Sequence, residues 1–543
     1  MAEQPPRDRW RSQCDFLLSL IGYSVGTGNL WRFPYLCYKF GGGTFVVAYV
    51  VMLLVLGIPM YTMEVTLGQF ARQSPNVLFR QLAPLFSGVG YGIIIIGTLM
   101  CFNYNVTITW VLSFLVASFR GELEWSRCGH IYNSPRCFTV AGDERCRSAS
   151  LGADVFWNNT CYPAYQLLEG HAEPNSECLF LSGNDTLVYR LGNNRALASE
   201  EYFNNHVLGM NNYDLYEGIA INMKPDISQL TDPTLWSAAA AQILYSLGCG
   251  QCGLFAMGSF NRLNNNCMRD AILVSLVDTA TSVIATLIVF SMLGSLAHTL
   301  CRDVGRVVTS DVGMAFVTYP EMMVHTPLPP VFSALFFVMM VSLGIDTQFI
   351  AVEALVIAAV DQWPSLKKQK RYLAVGLCVL FFLSNLSVCM DGGMLIFALV
   401  DHYAFTFSLF FVVLLQAVAV GWVYGAERLI GNMRSDMEIG LPPALAAYWR
   451  LSWRLAVPAV CLLGLATTVY LHQPASYGGR RFPIWADAVG LGIMLAPAAL
   501  VLSTMLAEAG IRQGRPHRWR ELLTPTDQWG VSAAKEQPSS PRR

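Results

Sequence analysis

Apolar runs follow one another along most of the chain, and short polar stretches separate them. A run of about 20 residues with few charges is long enough to cross the hydrocarbon core of a bilayer as a helix. Ten such runs occur, at 14–36, 44–68, 88–118, 236–258, 271–296, 329–360, 371–390, 395–424, 451–472 and 483–508. The pattern therefore predicts an all-α polytopic membrane protein with about ten transmembrane helices.

The composition argues against a soluble enzyme. Charged residues make up 13% of the 543 residues and hydrophobic residues 54%, whereas about a quarter of a typical soluble domain is charged. The net charge of −1 leaves no basic surface of the kind that binds nucleic acids. No HExxH or GxSxG motif lies in a plausible setting, so we expect neither enzymatic activity nor a nucleic-acid partner.

Basic loops place both termini on the cytoplasmic side, because loops rich in Lys and Arg stay inside. With ten spans, every basic loop falls on one side: Arg72 and Arg80, Arg262 and Arg269, 367–371, and the tail from Arg512. The predicted organisation is a cytoplasmic tail (1–13), three spans (14–118), an outer loop (119–235), seven spans (236–508) and a cytoplasmic tail (509–543).

The outer loop has the features of an extracellular, oxidising face. Sequons at Asn158 and Asn184 predict N-glycosylation, and five cysteines suit disulfide formation. The cysteines are Cys128, Cys137, Cys146, Cys161 and Cys178. We therefore expect a multi-pass glycoprotein of the plasma membrane.

Two spans are interrupted by glycine and polar residues. Residues 22–34 contain three glycines together with Asn29 and Arg32, and residues 245–253 contain three more glycines. Paired interruptions of this kind indicate discontinuous helices, whose free carbonyls and helix ends bind cations and substrate near mid-membrane. Glycines also serve as close-packing contacts between helices, but Asn29 and Arg32 favour the binding interpretation.

Ionisable side chains also lie inside the spans. Each costs about 2.5–3.5 kcal/mol on insertion scales and needs a partner or a function. They are Glu64, Asp278, Asp346, Glu353, Asp401 and His402. One alone could be a structural hydrogen-bonder, but several beside two broken helices predict a path for ions and solute.

These motifs resemble the neurotransmitter:sodium symporter family (solute carrier family 6 type). The resemblance runs from about Asp15 to beyond residue 500 and rests on 22–34, 41–43, 64–70, 240–243, 260–267 and 343–346. It implies a LeuT-type inverted-repeat fold with two discontinuous helices. It also implies sodium-coupled symport of a small amino acid or amine by alternating access, and a disulfide between Cys128 and Cys137.

The resemblance further implies a set of binding residues. The first sodium site would use Ser24, Asn29, Ser246 and Asp278. The second sodium site would use Gly22, Val25, Leu343, Asp346 and Thr347. Ligation by oxygen alone suits a hard cation.

Substrate and gate residues are implied in the same way. Substrate would contact Gly26, Gly28, Met100, Tyr104, Tyr245, Gln251 and Gln348. The outer gate would be Arg32 and Asp401, and the inner gate Arg7, Trp10 and Asp361.

Gly26 indicates the substrate class. Monoamine carriers that resemble this chain have an Asp there, which pairs with the amine, whereas glycine leaves room for a substrate carboxylate beside the sodium. Gln251 and Gln348 make the side-chain pocket more polar than one built for leucine. We therefore predict neutral amino acids as substrate; a monoamine or GABA-type carrier is the alternative.

Asp278 is a departure, because most relatives have Asn at this position. Tyr49, Gln242, Ser246 and Ser282 match the family's chloride ligands. A carboxylate about 5 Å from chloride would repel it by about 3 kcal/mol at an effective dielectric near 20. We expect sodium as the co-transported ion, weak chloride dependence and relaxed cation choice.

A second departure is an absence. The family has two further spans, its fourth and fifth, which this chain lacks. They would lie between Gly209 and Ala220. Without them, surfaces of neighbouring helices would face lipid or another protein, such as a second copy or a full-length relative. The rival interpretation is a truncated, non-transporting isoform or gene model.

Overall fold

The structure is a computed structural model that describes residues 9–134, 137–149, 155–157, 160–162, 196–208, 227–300, 314–390, 393–472, 474–477, 480–511 and 518–530. Nearly all of the described chain is helical. Arg7, Asn158, Cys178, Asn184 and the predicted join between Gly209 and Ala220 lie outside these residues.

The first predicted span is interrupted in the structure. Helix α1 (Gln13–Ser24) ends at Ser24, and α2 (Arg32–Lys39) resumes the path after a 3₁₀ turn at Thr27–Asn29. Gly26 has an extended backbone, and its N–H donates to Oδ1 of Asn29 at 3.2 Å. This local bond competes with the helical pattern, as Asn side chains commonly do, so the chain leaves the helix here.

The second interruption separates α9 (Pro233–Ser246) from α10 (Gly253–Ser259). Positive φ angles at Gly248, Gly250 and Cys252 turn the backbone between them. Two of these residues are glycines, which adopt this conformation without steric cost. The N–H of Gly250 donates to the buried carboxylate of Glu64 at 2.8 Å, so a side chain replaces a lost helical partner.

Between these breaks, two continuous spans and several short elements complete the first half. Helices α3 (Gly43–Met52) and α4 (Ile58–Ala71) are joined by a π-helical turn at Leu53–Gly57. The short α5 (Pro75–Leu82) precedes the long α6 (Ser87–Ser118). Helices α7 (Val140–Ala149) and α8 (Ala198–Glu201) belong to the outer loop.

The second half continues with helices that surround the breaks. They are α11 (Cys267–Leu300), α12 (Tyr319–Val324), α13 (Pro329–Gln362), α14 (Lys370–Asn385), α15 (Gly393–Ala404), α16 (Thr406–Val418), α17 (Ala426–Ser435), α18 (Pro443–Leu451), α19 (Val457–Tyr470), α20 (Ile484–Ile511) and α21 (Arg518–Leu523). A π-helical turn at Ala419–Gly425 makes α16 and α17 continuous, and one at Ser452–Ala456 does so for α18 and α19.

Seven helical segments of the described chain are long and apolar enough to cross a membrane. They match seven of the ten predicted spans: Gly43–Ala71, Pro84–Ser118, Cys267–Gly294, Pro329–Gln362, Gly393–Ser435, Pro443–Tyr470 and Ile484–Gly510. Of the other three, two are the interrupted helices and one is α14, which has 16 residues.

Helices α4 and α10 pack backbone to backbone. A Cβ on Gly68 would lie 2.4 Å from the carbonyl oxygen of Phe255, and one on Gly258 would lie 2.6 Å from that of Val65. Such distances are below van der Waals contact, so glycine is required at both positions. The second broken helix is thereby held against α4, which also supplies Glu64.

The outer loop contains two disulfides. One joins Cys128 to Cys137, the pairing that the resemblance implies, and the other joins Cys146 to Cys161, whose pairing the sequence left open. Three short two-stranded sheets are present in the described chain: β1 (Cys137–Phe138) with β4 (Ala196–Leu197), β2 (Val155–Trp157) with β3 (Thr160–Tyr162), and β5 (Ser476–Tyr477) with β6 (Arg480–Arg481).

Glu201 ties the first disulfide loop to α8. Its carboxylate accepts hydrogen bonds from the backbone N–H of Ser134 at 2.9 Å and from the amide of Asn133 at 3.1 Å. Burial raises the pKa of this carboxyl above its usual value, although these donors act in the opposite direction. The loop is therefore anchored by a covalent bond and by a buried acidic side chain.

A C-terminal strap, residues 518–530, lies against the end of the bundle formed by Phe70, Gln81 and Tyr424. Trp529 contacts the rings of Phe70 and Tyr424 at 5.6 and 5.5 Å, and its indole N–H donates to the Tyr424 hydroxyl at 3.1 Å. The N–H of Thr526 donates to the carbonyl of Gln81 at 2.9 Å. The strap therefore connects α4, α5 and the π-helical turn that precedes α17.

Replacing Trp529 with alanine should destabilise the end of the bundle that the strap covers. We expect a loss of about 2 kcal/mol, since the side chain is half-buried and full truncation of a buried Trp costs about 3–5 kcal/mol. The thermal midpoint of purified protein in detergent should fall. Trp485→Ala is the matched control, because that ring is 70% exposed; equal midpoints for the two variants would contradict a packed strap.

Candidate functional site

The hydroxyl group of Tyr104 lies at the first helix break. Tyr104 projects from α6, and its oxygen accepts hydrogen bonds from the backbone N–H of Thr27 at 3.0 Å and from the Thr27 hydroxyl at 2.9 Å. A Cβ on Gly26 would lie only 2.7 Å from the same oxygen. Any larger residue at position 26 would therefore displace Tyr104.

Three hydrogen-bond donors converge on the carboxylate of Asp278. The Asn29 amide donates to Oδ1 at 2.7 Å, the Ser246 hydroxyl approaches both oxygens at 3.0 Å, and the Tyr49 hydroxyl donates to Oδ2 at 3.3 Å. The Asn29 amide also contacts the backbone carbonyl of Asp278 at 3.4 Å. The structure thus brings together three of the residues predicted for the first sodium site, and the carboxylate is fully buried.

The predicted chloride ligands adjoin the same carboxylate. Ser282 accepts from the Asn29 amide at 2.9 Å, while Tyr49 and Ser246 donate to Asp278. The amide of Gln242 is buried, and neither of its polar atoms has a hydrogen-bond partner among the described residues. Two hydroxyl donors that an anion would use are therefore already bonded to a carboxylate.

Oxygen atoms from α1 and α13 meet at the predicted second sodium site. The Thr347 hydroxyl lies 3.2 Å from the Gly22 carbonyl and 3.4 Å from the Leu343 carbonyl. A Cβ on Gly22 would lie 1.6 Å from Oδ2 of Asp346, so this carboxylate rests against the helix backbone. Ligation by carboxylate, hydroxyl and carbonyl oxygens suits a hard monovalent cation.

Asp346 is exposed, whereas its neighbour Thr347 is buried. Phe349, one turn further along α13, is 70% exposed, and Leu18 on α1 is 60% exposed. The second predicted site therefore reaches the surface of the described chain along an otherwise apolar face. Exposed surface on helices near the first break is what the absence of two spans predicted.

The predicted side-chain pocket is lined by apolar and aromatic groups with two amides beside it. Met100 and Tyr104 form a buried cluster with Phe405, whose ring lies 5.7 Å from that of Tyr245. A Cβ on Gly28 would contact Tyr245 at 3.4 Å.

The two amides have free hydrogen-bonding capacity among the described residues. Gln348 donates to the carbonyl of Cys101 at 3.2 Å, but its buried Oε1 has no partner there. Gln251 is buried, and its Nε2 has no partner there. The backbone carbonyl of Gln251 faces α6, where a Cβ on Gly97 would lie 2.9 Å away. Unbonded buried amides of this kind are available to a polar ligand.

Charged and aromatic groups meet at one end of the site, at the predicted outer gate. Arg32 lies 3.5 Å from Asp401 and sits over the ring of Tyr245, 4.6 Å from its centroid. The amide of Asn103 donates to the same Asp401 oxygen at 2.8 Å. Both predicted outer-gate residues are therefore in contact, with Asn103 as a third member.

Trp10, predicted for the inner gate, contacts the end of α10. Its backbone N–H donates to the carbonyl of Phe260 and its indole N–H to that of Met257, both at 3.2 Å. Asp361 accepts the N–H of Ser74 at 2.7 Å. The N-terminal segment therefore binds to the end of α10, and the start of α5 binds to the end of α13.

Sequence reasoning missed Thr27, Asn103 and Phe405. Thr27 follows Gly26 directly, and Asn103 is a polar residue beside Tyr104 in an apolar span, so a search of the predicted site's immediate neighbours would have found both. Phe405 offered no such signal, because one Phe in an apolar run cannot be distinguished from lipid-facing residues.

Several known proteins have sequences similar to this chain. The profile of the sodium:neurotransmitter symporter family matches residues 7–166 and 205–510. The chain is 34% identical over 564 residues to "Sodium- and chloride-dependent creatine transporter 1" of Bos taurus, covering 97% of this chain and 87% of the relative. The protein of that name from Homo sapiens is 34% identical over 562 residues, with the same coverage.

A solved structure has the same fold. MhsT in complex with L-phenylalanine aligns with a TM-score of 0.62 at 20% identity, covering 85% of this chain and 100% of MhsT. This likeness confirms the predicted all-α, LeuT-type architecture.

Gly22→Ala should impair the second sodium site, because the added Cβ would overlap the Asp346 carboxylate. We expect the half-saturating sodium concentration for thermal stabilisation of purified protein to rise by about tenfold or more. That shift corresponds to a loss of about 1.4 kcal/mol in binding. The matched control is Gly376→Ala on α14, where a Cβ would meet nothing within 4 Å. An unchanged sodium response in Gly22→Ala would exclude this site.

Proposed function

The chain belongs to the sodium:neurotransmitter symporter family, and we propose that it is a sodium-coupled symporter of neutral amino acids in the plasma membrane. The observation that carries the proposal is the enclosed pair of helix breaks. Arg32 and Asp401 lie on one side of them and Trp10 on the other. A site that two separate contacts can close in turn is what alternating access requires.

Sodium would bind first among the oxygen atoms of the two breaks. At the second site, a cation held by Gly22, Asp346 and Thr347 would join α1 to α13. At the first site, a cation beside Asn29 and Asp278 would join the first break to α11. Each ion thereby favours a conformation in which the first broken helix is in contact with α11 and α13.

The substrate carboxylate would then bind at the first break. Tyr104 presents a hydroxyl there, and Gly26 lets this hydroxyl approach the backbone of the break, because a Cβ at position 26 would lie 2.7 Å from it. Because position 26 carries no acidic side chain, a monoamine would lack a counter-charge at this point. A zwitterion brings its own carboxylate, so an amino acid fits the site better than an amine does.

The names of the relatives support a second candidate, a guanidino acid such as creatine. Creatine has the carboxylate of an amino acid and a planar group of N–H donors at the other end. The free Oε1 of Gln348 would accept such a donor. Neutral amino acids with polar side chains would use the same amides. They carry their positive charge on the α-amino group, whereas creatine carries it on the guanidino group.

Membrane topology and assembly complete the proposal. Both termini would lie in the cytoplasm and the disulfide-bonded loop outside, with glycans on Asn158 and Asn184. The lipid bilayer would surround the helices. The exposed face around Asp346 leaves room for association with a second copy or a full-length relative. A truncated product without transport activity is the alternative outcome of the uptake test.

Uptake in cells tests the function directly. Cells expressing the chain should accumulate radiolabelled neutral amino acid in sodium medium and not in choline medium, with potassium medium as a third arm. Asn29→Ala should reduce uptake at least about tenfold, because it removes the contact between the first break and Asp278. Asn105→Ala, an amide on another face of α6, is the control, and surface biotinylation normalises the amounts.

The same assay separates the candidate substrates. Labelled creatine in parallel with neutral amino acids identifies which is carried, and dopamine tests the monoamine alternative. Protein that reaches the surface and carries none of these substrates would contradict the proposed function.

Asp278→Asn should increase chloride dependence. The native carboxylate already supplies the negative charge that chloride would add, so replacing chloride by gluconate should lower native uptake less than about twofold. With asparagine, Tyr49 and Ser246 can donate to an anion, and the same exchange should lower uptake by about fivefold or more, which reflects the removal of about 3 kcal/mol of repulsion. Glu353→Gln, which removes a half-exposed carboxylate elsewhere, is the control; collapse of native uptake in gluconate would contradict this role.

A further inference from the structure

Asn103 holds the outer-gate carboxylate more closely than the gate arginine does. Its amide nitrogen lies 2.8 Å from Oδ1 of Asp401, whereas the nearest guanidinium nitrogen of Arg32 lies 3.5 Å from the same oxygen. Asn103 is 4% exposed, and the side chains of Arg32 and Asp401 are 22% and 24% exposed. The neutral partner therefore makes the shorter and more deeply buried contact.

The orientation of this amide is set by the carboxylate. The Oδ1 atom of Asn103 is buried and has no hydrogen-bond partner among the described residues. Rotating the amide would turn this oxygen towards Asp401 and place two acceptors in contact, which is repulsive. The N–H group therefore faces Asp401, and the contact is a charge-assisted hydrogen bond, which is stronger than a neutral one.

The three residues stand on different structural units. Asn103 is on α6, which packs against α13, α5 and α20. Asp401 is on α15, and Arg32 is on α2, the outer half of the first broken helix. The contact between Asn103 and Asp401 joins α6 to α15 and does not involve α2. Arg32 is therefore the residue whose approach completes the gate.

We propose that Asn103 is a positioning residue of the outer gate, which fixes the Asp401 carboxylate so that Arg32 closes onto a pre-oriented partner. This inference rests on the proposed transport function, since a gate has meaning only in a transporter. A pre-oriented carboxylate loses less conformational freedom when the gate closes. Without Asn103 the closed state is therefore less favoured, and the site stays open to the outside for longer.

The test is cysteine labelling from outside the cell. Thr107 lines the same pocket as Asn103, Arg32 and Asp401 and is buried, so Thr107→Cys reports opening through its reaction with a membrane-impermeant methanethiosulfonate reagent. The chain without Thr107→Cys supplies the background. Adding Asn103→Ala should raise the labelling rate in sodium medium about tenfold, while Asn105→Ala should leave it unchanged.

A swap distinguishes positioning from general packing. The double variant Asn103→Asp with Asp401→Asn keeps one amide and one carboxylate in contact beside Arg32, and should return the labelling rate to within about threefold of the native value. Asn103→Ala should also raise KM for the substrate about tenfold, with less than about twofold change in maximal uptake per surface molecule.

The outcomes separate the two proposals. Labelling is read on surface protein, so it tests the gate even if the native chain carries no substrate, in which case only the transport function fails. Native labelling rates in Asn103→Ala would overturn the role of Asn103. So would a swap variant that labels as fast as Asn103→Ala, because the residue would then act through packing alone.

Discussion

Breaking a helix inside a membrane leaves backbone N–H and C=O groups that water cannot satisfy, and much of this structure supplies their partners. The N–H group of Gly250 has lost its helical partner and donates to Glu64, and the N–H group of Thr27 donates to Tyr104. Glu64 is brought into place by the close packing of α4 on α10, and Tyr104 by the long helix α6. The requirement to satisfy two breaks therefore determines which helices surround them and which side chains point inward.

Asp278 links the elements around the two breaks through one side chain. Its carboxylate accepts hydrogen bonds from Asn29, Ser246 and Tyr49, which belong to the first break, the second broken helix and α3. One fully buried carboxyl group thus connects three separate elements. In the proposed function the same group also influences the ion chemistry, because a carboxylate attracts cations and repels anions.

The sequence predicted the features that arise from local composition. Glycines at 22, 26 and 28 and at 248, 250 and 253 located both breaks, because no continuous membrane helix favours such a density of glycine. Contacts between helices were harder to predict from the sequence. Asp346 was predicted as a ligand, but its exposure depends on what packs beside α13. The disulfide between Cys146 and Cys161 and the role of Phe405 depend on tertiary proximity, which no local pattern in the sequence encodes.

The C-terminal strap has a consequence for biogenesis. Thr526 bonds to the carbonyl of Gln81, a residue 445 positions earlier in the chain. During synthesis α4 and α5 are made long before their partner in the strap exists, and this end of the bundle stays incomplete until the strap has been translated. Docking of the strap is thus a late step in the assembly of the bundle.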